Sequence, residues 1–501
     1  MAEQLVIIGG NAAGLAAALA ARRRRPELRI LVLEAGADFS FGSCGMPYNL
    51  ADPTRATEDL LVRSAASFRE LDIQLAPGHL VTAVDLRHGC LQVLRQVPGG
   101  PGERLELPWD RLLAACGAAP SEVVIPGLPA AALLSFKSLE DLRGLKRRLP
   151  GLRRVAVLGA GPLGLELCEG LVARGLRVLL VEPQALPLAG FPGDLRRRVL
   201  QELETQGLDL ALGCLVRGAR EIGTSGFELE VAPVDQPNGS SSREQVDLLL
   251  HAAGQRPATD CLRDLQREER GALPVDVHMR TSHPRVWAAG DCVVRPSCVP
   301  ARAGEAEWTW HPQAREALRG GRVAGWNAAA GDEDRALPAG PQTLVLKCFA
   351  LEIARCGRLS TDDSSAPLLP ASPQVPVVRG LLGQPMPILP GTAPRPSAAG
   401  VLRARSDSRT QGHSMPGSGR LQVWLEADGA GRLRGGALLS EGPGAALRVN
   451  VLAALLQQEG SAADLADLDL AYSPPFGPLV DPLIQAAERL RSLVDAGGAA
   501  S

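Results

Sequence analysis

Residues 153–183 read RRVAVLGAGPLGLELCEGLVARGLRVLLVEP, and the fold turns on this run. It opens on a short, fully apolar strand, passes through Gly159-x-Gly161-x-x-Gly164, continues as a helix from Pro162, and returns as a second apolar strand ending at Glu182. Each glycine has a physical task. The first makes the tight turn, the second lets backbone approach a pyrophosphate, and the third brings helix and strand into close packing, while the helix N-terminus directs its amides at the phosphates. Glu182 falls 18 residues after Gly164, where a carboxylate can accept both ribose hydroxyls of NADH and repel the 2'-phosphate of NADPH.

Working outward, residues 4–36 repeat the design: QLVIIGGNAAGLAAALAARRRRPELRILVLEAG. Gly9, Gly10, Ala13 and Gly14 form the turn, with Asn11 where the second glycine stands in the later unit. Asparagine tolerates unusual backbone angles better than most residues, so the turn survives. Glu34 lies 20 residues beyond Gly14. Two such units in one chain imply two dinucleotides, and the economical pairing is FAD in the first and NADH in the second, the flavin relaying electrons. Apolar runs without alternation read as parallel strands buried on both faces.

The expected architecture is therefore α/β: two three-layer Rossmann-like domains, the second inserted in the first, followed by a C-terminal α+β dimerisation domain. The expected boundaries are 1–120 and 256–334 for the FAD-binding domain, 121–255 for the NAD(H)-binding domain, and 335–501 for the last. A Pro/Ser-rich insertion covers about 362–400, and VDQPNGSSSRE reads as a hairpin tip. Length agrees, since 501 residues exceed one ordinary domain.

A formal charge of −2 gives no broad electrostatic reason to expect nucleic acid or an anionic membrane as partner. No apolar run reaches the roughly 18 residues of a bilayer span, and no signal-peptide pattern opens the chain, so a cytoplasmic protein is expected. The ten cysteines include no C-x-x-C pair, which argues against a zinc site or a disulfide framework.

Seven segments, VIIGGNAAG, SCGMPY, AACGAAP, GAGPLGLE, HAAGQRP, WAAGDC and DLDLAYSPPFGPLVDP, together resemble the single-cysteine pyridine nucleotide-disulfide oxidoreductases. These comprise coenzyme A disulfide reductases, NADH oxidases and peroxidases, and persulfide reductases. The resemblance covers about residues 4–485 apart from the Pro/Ser-rich tract. It implies that Cys44 is the redox cysteine beside the flavin and that Asp291 holds the ribityl chain. Gly9, Gly14, Glu34 and Asp291 would serve FAD and Gly159, Gly161, Gly164 and Glu182 the NAD(P)H side, with Gly10, Ala13, Ser43, Ala115, Gly117, Pro162, Gly254 and Gly290 as further cofactor-binding candidates. Cys116 stands where the family carries threonine, and a structural role is expected for it.

A lone cysteine in SFGSCGMPYNL, residues 40–50, has no neighbouring thiol to resolve it. Its oxidised form must then be a mixed disulfide with a small thiol, a persulfide or a sulfenic acid. Pro47 suits a first helical turn, which would set Cys44 near a positive dipole end and favour its thiolate.

Family peroxidases and oxidases carry histidine in the first glycine loop; Ala12 offers peroxide neither proton nor hydrogen bond, which favours a sulfur substrate. The resemblance also implies two C-terminal tyrosines acting from a partner subunit. Tyr472 in AYSPPF keeps one, while GHSMPG, residues 412–417, has Met415 and no tyrosine. His413 is a further candidate proton donor. Arg22, in the run of four arginines, is a candidate contact for coenzyme A phosphates or else a helix-end arginine, and Tyr48 a candidate substrate contact. Trp308, Trp310 and His311 either reshape the substrate entrance or pack between domains, packing being preferred. The reading is a homodimeric FAD-dependent NAD(P)H oxidoreductase reducing a coenzyme A disulfide or persulfide. Alternatives are an NADH oxidase acting on oxygen or peroxide, and a redox-sensing flavoprotein with little turnover. No metal is expected.

Overall fold

The computed structural model describes residues 3–97, 100–223, 226–235, 241–299, 308–330, 335–360, 401–412 and 414–498. The Pro/Ser-rich tract and His413 lie outside them.

Two parallel five-stranded sheets carry the nucleotide-type units. In the first, strands run in the order Val286–Ala288, Arg111–Ala114, Gln4–Ile8, Arg29–Leu33, Ile73–Ala76. The chain thus leaves this sheet after Ala114 and returns to it at Val286. The second sheet orders Asp209–Leu212, Arg177–Glu182, Arg154–Leu158, Leu248–His251 and Leu133–Leu134. Both central strands are sealed on both faces: Leu5, Val6 and Ile7, like Val155, Ala156 and Val157, are wholly buried. The chain crosses between the sheets through an antiparallel ribbon, Ala118–Pro120 against Gln255–Pro257. The polar insertion expected as a hairpin tip is flanked by antiparallel strands Gly226–Pro233 and Ser242–Val246, while its residues 236–240 lie outside the described part.

The alanines of helix Ala12–Arg24 serve close packing. Helix Ala314–Ala330 lies so near that a Cβ on Gly321 would sit 2.2 Å from the Ala13 carbonyl oxygen, and one on Gly325 2.1 Å from that of Ala17. In the C-terminal region a five-stranded antiparallel sheet runs Leu344–Cys348, Leu351–Gly357, Leu433–Glu441, Arg420–Ala427, Leu402–Arg409. Helices Ala445–Gln457 and Pro482–Gly498 cover it, and Val449, Leu452, Leu483 and Leu490 close its core. A separate core joins three regions, with Met46 and Leu50 packed among Leu165, Leu167 and Cys168 of helix Pro162–Ala173 and Leu346 and Leu439 of the last sheet.

Candidate active site

Both glycine loops have one geometry. Gly9 and Gly159 hold φ of 110° and 107°, a left-handed region closed to most side chains. A Cβ at Gly14 would fall 1.9 Å from the Gly9 carbonyl oxygen, and one at Gly164 1.9 Å from that of Gly159, so only glycine allows each helix to start so close to its strand. Asn11 needs no unusual angle: at φ −119° and ψ −153° it is extended, as is its counterpart Gly161 at φ −76° and ψ −177°. The expected tolerance of asparagine is therefore not called upon. Above Gly161 a Cβ would meet nothing within 4 Å, the open space a phosphate requires.

The acidic residues close the same loops. Glu34 accepts Gly10 N–H at 2.7 Å on one oxygen and Gly36 N–H at 2.8 Å on the other; Glu182 accepts Ala160 N–H at 2.7 Å and Gln184 N–H at 3.0 Å. Each oxygen keeps a lone pair for a ribose hydroxyl. Gly10 answers to a side chain rather than a phosphate, since its Cβ would strike the Phe39 ring at 2.4 Å. Around the first loop, the Ala115 carbonyl lies 2.1 Å from a Gly9 Cβ position, and Gly290, at φ 88°, brings its own to 3.0 Å from Ala13 Cβ. Gly117, at φ 72°, opens on space, and Gly254, at φ 93°, binds the Ser121 amide in the crossover ribbon. Asp291 follows Gly290; burial raises its pKa, opposed by Lys137 at 3.7 Å. Trp310 fixes that corner by donating its indole N–H to the Asp291 carbonyl at 2.8 Å, a packing role. The residues present thus fit two dinucleotides.

Cys44 sits in the short turn Ser43–Gly45, ahead of helix Met46–Ala51 with Pro47 in its first turn. Both Cys44 and Ser43 are exposed. This helix packs on helix Pro162–Ala173 at Gly170, whose Cβ would stand 3.0 Å from the Pro47 carbonyl oxygen. That contact carries Glu166, one turn earlier, to Tyr48 and Cys44. The Tyr48 hydroxyl donates to Glu166 across 3.4 Å. Burial pushes the Glu166 carboxyl up to about 7, Tyr48 counteracts this, and the charge of Glu169 adds to it. The Tyr48 phenol is raised by burial and by both glutamates. Around Cys44 the expected preference for thiolate is corrected: although the residue keeps accessible surface, the crevice walls desolvate its thiol, and this first, the Glu166 carboxylate next, raise its pKa, which the Ser43 side-chain hydrogen bond only partly offsets. The six-residue helix that follows is too short for its dipole to overturn this.

Other expected residues fall elsewhere. Arg22 gives Nε to the Leu71 carbonyl at 2.8 Å, Nη2 to that of Asp72 at 2.7 Å, and Nη1 to that of Pro26. Each of the three nitrogens thus donates to a backbone carbonyl, which ties the helix end to the Leu71–Asp72 turn and leaves two of the five N–H donors for any further contact. Cys116 touches the thiols of Cys261 and Cys292, which with burial raise its pKa, in keeping with a structural role. Tyr472 is half exposed and its hydroxyl has no hydrogen-bond partner among the described residues. Its segment meets the GHSMPG segment, Gly412 N–H donating to the Pro474 carbonyl at 2.7 Å. Glu166 went unread in the sequence although it closes GAGPLGLE; a carboxylate two residues past a nucleotide-loop glycine on an apolar helix was the available signal. Among the described residues no cluster suits a metal ion, and no helix is long and apolar enough to cross a membrane.

The profile of one family, pyridine nucleotide-disulphide oxidoreductase, matches residues 3–309. An NADH oxidase of Methanocaldococcus jannaschii is 27% identical over 489 residues, 96% of this chain and 97% of that relative. A CoA-dependent NAD(P)H sulfur oxidoreductase of Pyrococcus abyssi is 26% identical over 500 residues, 98% of each chain. Among solved structures, an NAD-dependent persulfide reductase from A. fulgidus superposes with a TM-score of 0.82 at 25% identity, covering 98% of this chain and 84% of that one.

Proposed function

The chain belongs to the pyridine nucleotide-disulphide oxidoreductases, enzymes that use FAD and a pyridine nucleotide, and from that premise we propose that it reduces a small disulfide or persulfide, coenzyme A being the favoured thiol. One observation carries this reading. Cys44 is exposed, has no neighbouring cysteine in sequence, and feels the charge of Glu166, which Tyr48 engages on the helix that follows the second glycine loop. Relatives named for sulfur or persulfide reduction match nearly the whole chain.

Bound FAD would supply the two-electron relay between NADH and sulfur. The Cys44 thiolate attacks one sulfur of R–S–S–R, the S–S bond breaks, and one RS⁻ leaves; Glu166, whose carboxyl holds a proton up to about pH 7, is placed to protonate it. Two electrons from NADH then reduce the Cys44–S–R bond, releasing the second thiol, so that NADH, one proton and RSSR give NAD⁺ and two RSH. Glu182 supports NADH over NADPH by repelling a 2'-phosphate. Tyr472, acting from a second subunit of a homodimer, is the candidate second proton donor.

Ala12 in place of histidine disfavours the oxidase alternative, but the NADH oxidase relative keeps it in view. Intact mass before and after reduction separates them. A Cys44 adduct matching coenzyme A or one sulfur, with NADH consumed under nitrogen when the matching disulfide or persulfide is added, is expected. A single added oxygen, consumption only under air, or unchanged turnover in Cys44→Ser would refute the sulfur reading.

A further inference from the structure

Away from the Cys44 crevice, a cavity of about 220 Å³ opens where the three regions of the chain meet. Gly190 reaches it from the loop after strand Arg177–Glu182 of the second sheet, Ser297 and Thr309 from the flavin-side unit, and Gln342, Arg355 and Arg358 from the C-terminal region. Arg355 is its unusual feature. Of the five N–H donors a guanidinium carries, Nη1 alone makes a hydrogen bond among the described residues, to the Gly190 carbonyl at 2.9 Å, while Nε is buried without an acceptor. Other buried arginines also have an orphaned Nε, but Arg295 pairs with Glu316 at 2.9 Å, whereas no carboxylate among the described residues pairs with Arg355.

The Phe191 ring, 5.4 Å from the guanidinium carbon, supports one side of the charge. Gly190 makes the close approach possible, since a Cβ there would stand 2.8 Å from Nη1. A smaller recess shares Thr309 and Gln342 with the cavity and holds His311, whose Nε2 is likewise buried without a partner. A mostly buried cation lacking a counter-charge is costly unless something anionic completes it. Beside it stand the uncharged Gln342 amide and the hydroxyls of Ser297 and Thr309, which donate to the Val299 and Arg295 carbonyls at 3.1 and 3.4 Å and would turn from them to reach an ion.

We propose that this junction binds a small free oxyanion of the phosphate or sulfate class, held by Arg355 with Gln342, Ser297 and Thr309 around it. Because its walls come from three regions, the ion ties them together, and occupancy opposes their separation.

The test uses the flavin-loaded enzyme saturated with NAD⁺, so that added ion cannot simply enter the dinucleotide cradles. Calorimetric titration with sodium phosphate, and separately with sodium sulfate, is compared with sodium chloride at matched ionic strength. One saturable site is expected for at least one oxyanion and none for chloride, with affinity about tenfold or more weaker in Arg355→Gln. The stronger arm identifies the ion. Should that variant fold poorly, wild-type crystals soaked in selenate are read instead, an anomalous peak within hydrogen-bond reach of Arg355 being expected. No saturable heat with either ion, equal binding by Arg355→Gln, or selenate peaks only at other places overturns the proposal.

Discussion

Glu166 sets the proton balance of the cysteine crevice. Its carboxyl keeps a proton up to about pH 7 against an ordinary value of 4.5, because burial penalises the anion. Between those two values the native protein binds a proton that the unfolded chain has released, so this group makes stability fall as pH rises. Glu166→Gln, which cannot ionise, is accordingly expected to raise the melting temperature at pH 8 and to leave it nearly unchanged at pH 4. The same substitution removes the carboxylate that raises Cys44. Alkylation of Cys44 by iodoacetamide, followed by peptide mass with Cys44→Ser as the blank, should then reach half its plateau rate at a lower pH than in wild type. An unmoved profile would mean that burial alone governs the thiol.

Helix packing is where glycine decides the energetics. Helices Ala12–Arg24 and Ala314–Ala330 approach so closely that Gly325→Ala drives a methyl into the Ala17 backbone, and the expected cost is about 1–3 kcal/mol of unfolding free energy. Gly144→Ala is the control: inside helix Leu139–Arg148 its Cβ would meet only the end of Arg147 at 3.9 Å, and a gain of about 0.5–1 kcal/mol is expected from helix propensity. Denaturant unfolding of both variants, with retained flavin absorbance, checks the pair. The strand–turn–helix units were legible because their signals are local: an apolar run sealed on two faces, glycines at fixed offsets, an acidic residue ending the next strand. Strand Leu402–Arg409 went unread because its inward positions include the small Ala404 and Ser406, between Arg403, Arg405 and Asp407, so period-two alternation shows no apolar stripe. The meeting of Tyr48 with Glu166 was hidden too, since it joins residues 118 apart through a contact that only Gly170 permits. Two partners of Arg22 were hidden for a related reason: its charge is visible in sequence, but the Leu71 and Asp72 carbonyls that engage it come from a turn 49 and 50 residues away.

At the scale of the molecule, the C-terminal region exposes Tyr472, Phe476, Leu479 and Val480 within nine positions, Phe476 with 80% of its surface accessible. Apolar side chains grouped this way mark a contact surface, and a second copy of the chain is the simplest partner, since a two-fold interface buries the same patch twice. Sedimentation should show a dimer that Phe476→Asp shifts toward monomer. If each cleft then borrows Tyr472 from the other subunit, the arrangement has a test that a purely structural interface fails. Heterodimers purified through two different tags, one chain carrying Cys44→Ser and the other Tyr472→Phe, contain one intact pairing in trans and none in cis. The expected rate is about half that of wild type, against severe loss in either parent homodimer. A heterodimer as inactive as its parents would place Tyr472 in its own chain's cleft, while a fully active Tyr472→Phe homodimer would leave Glu166 as the proton donor of this site.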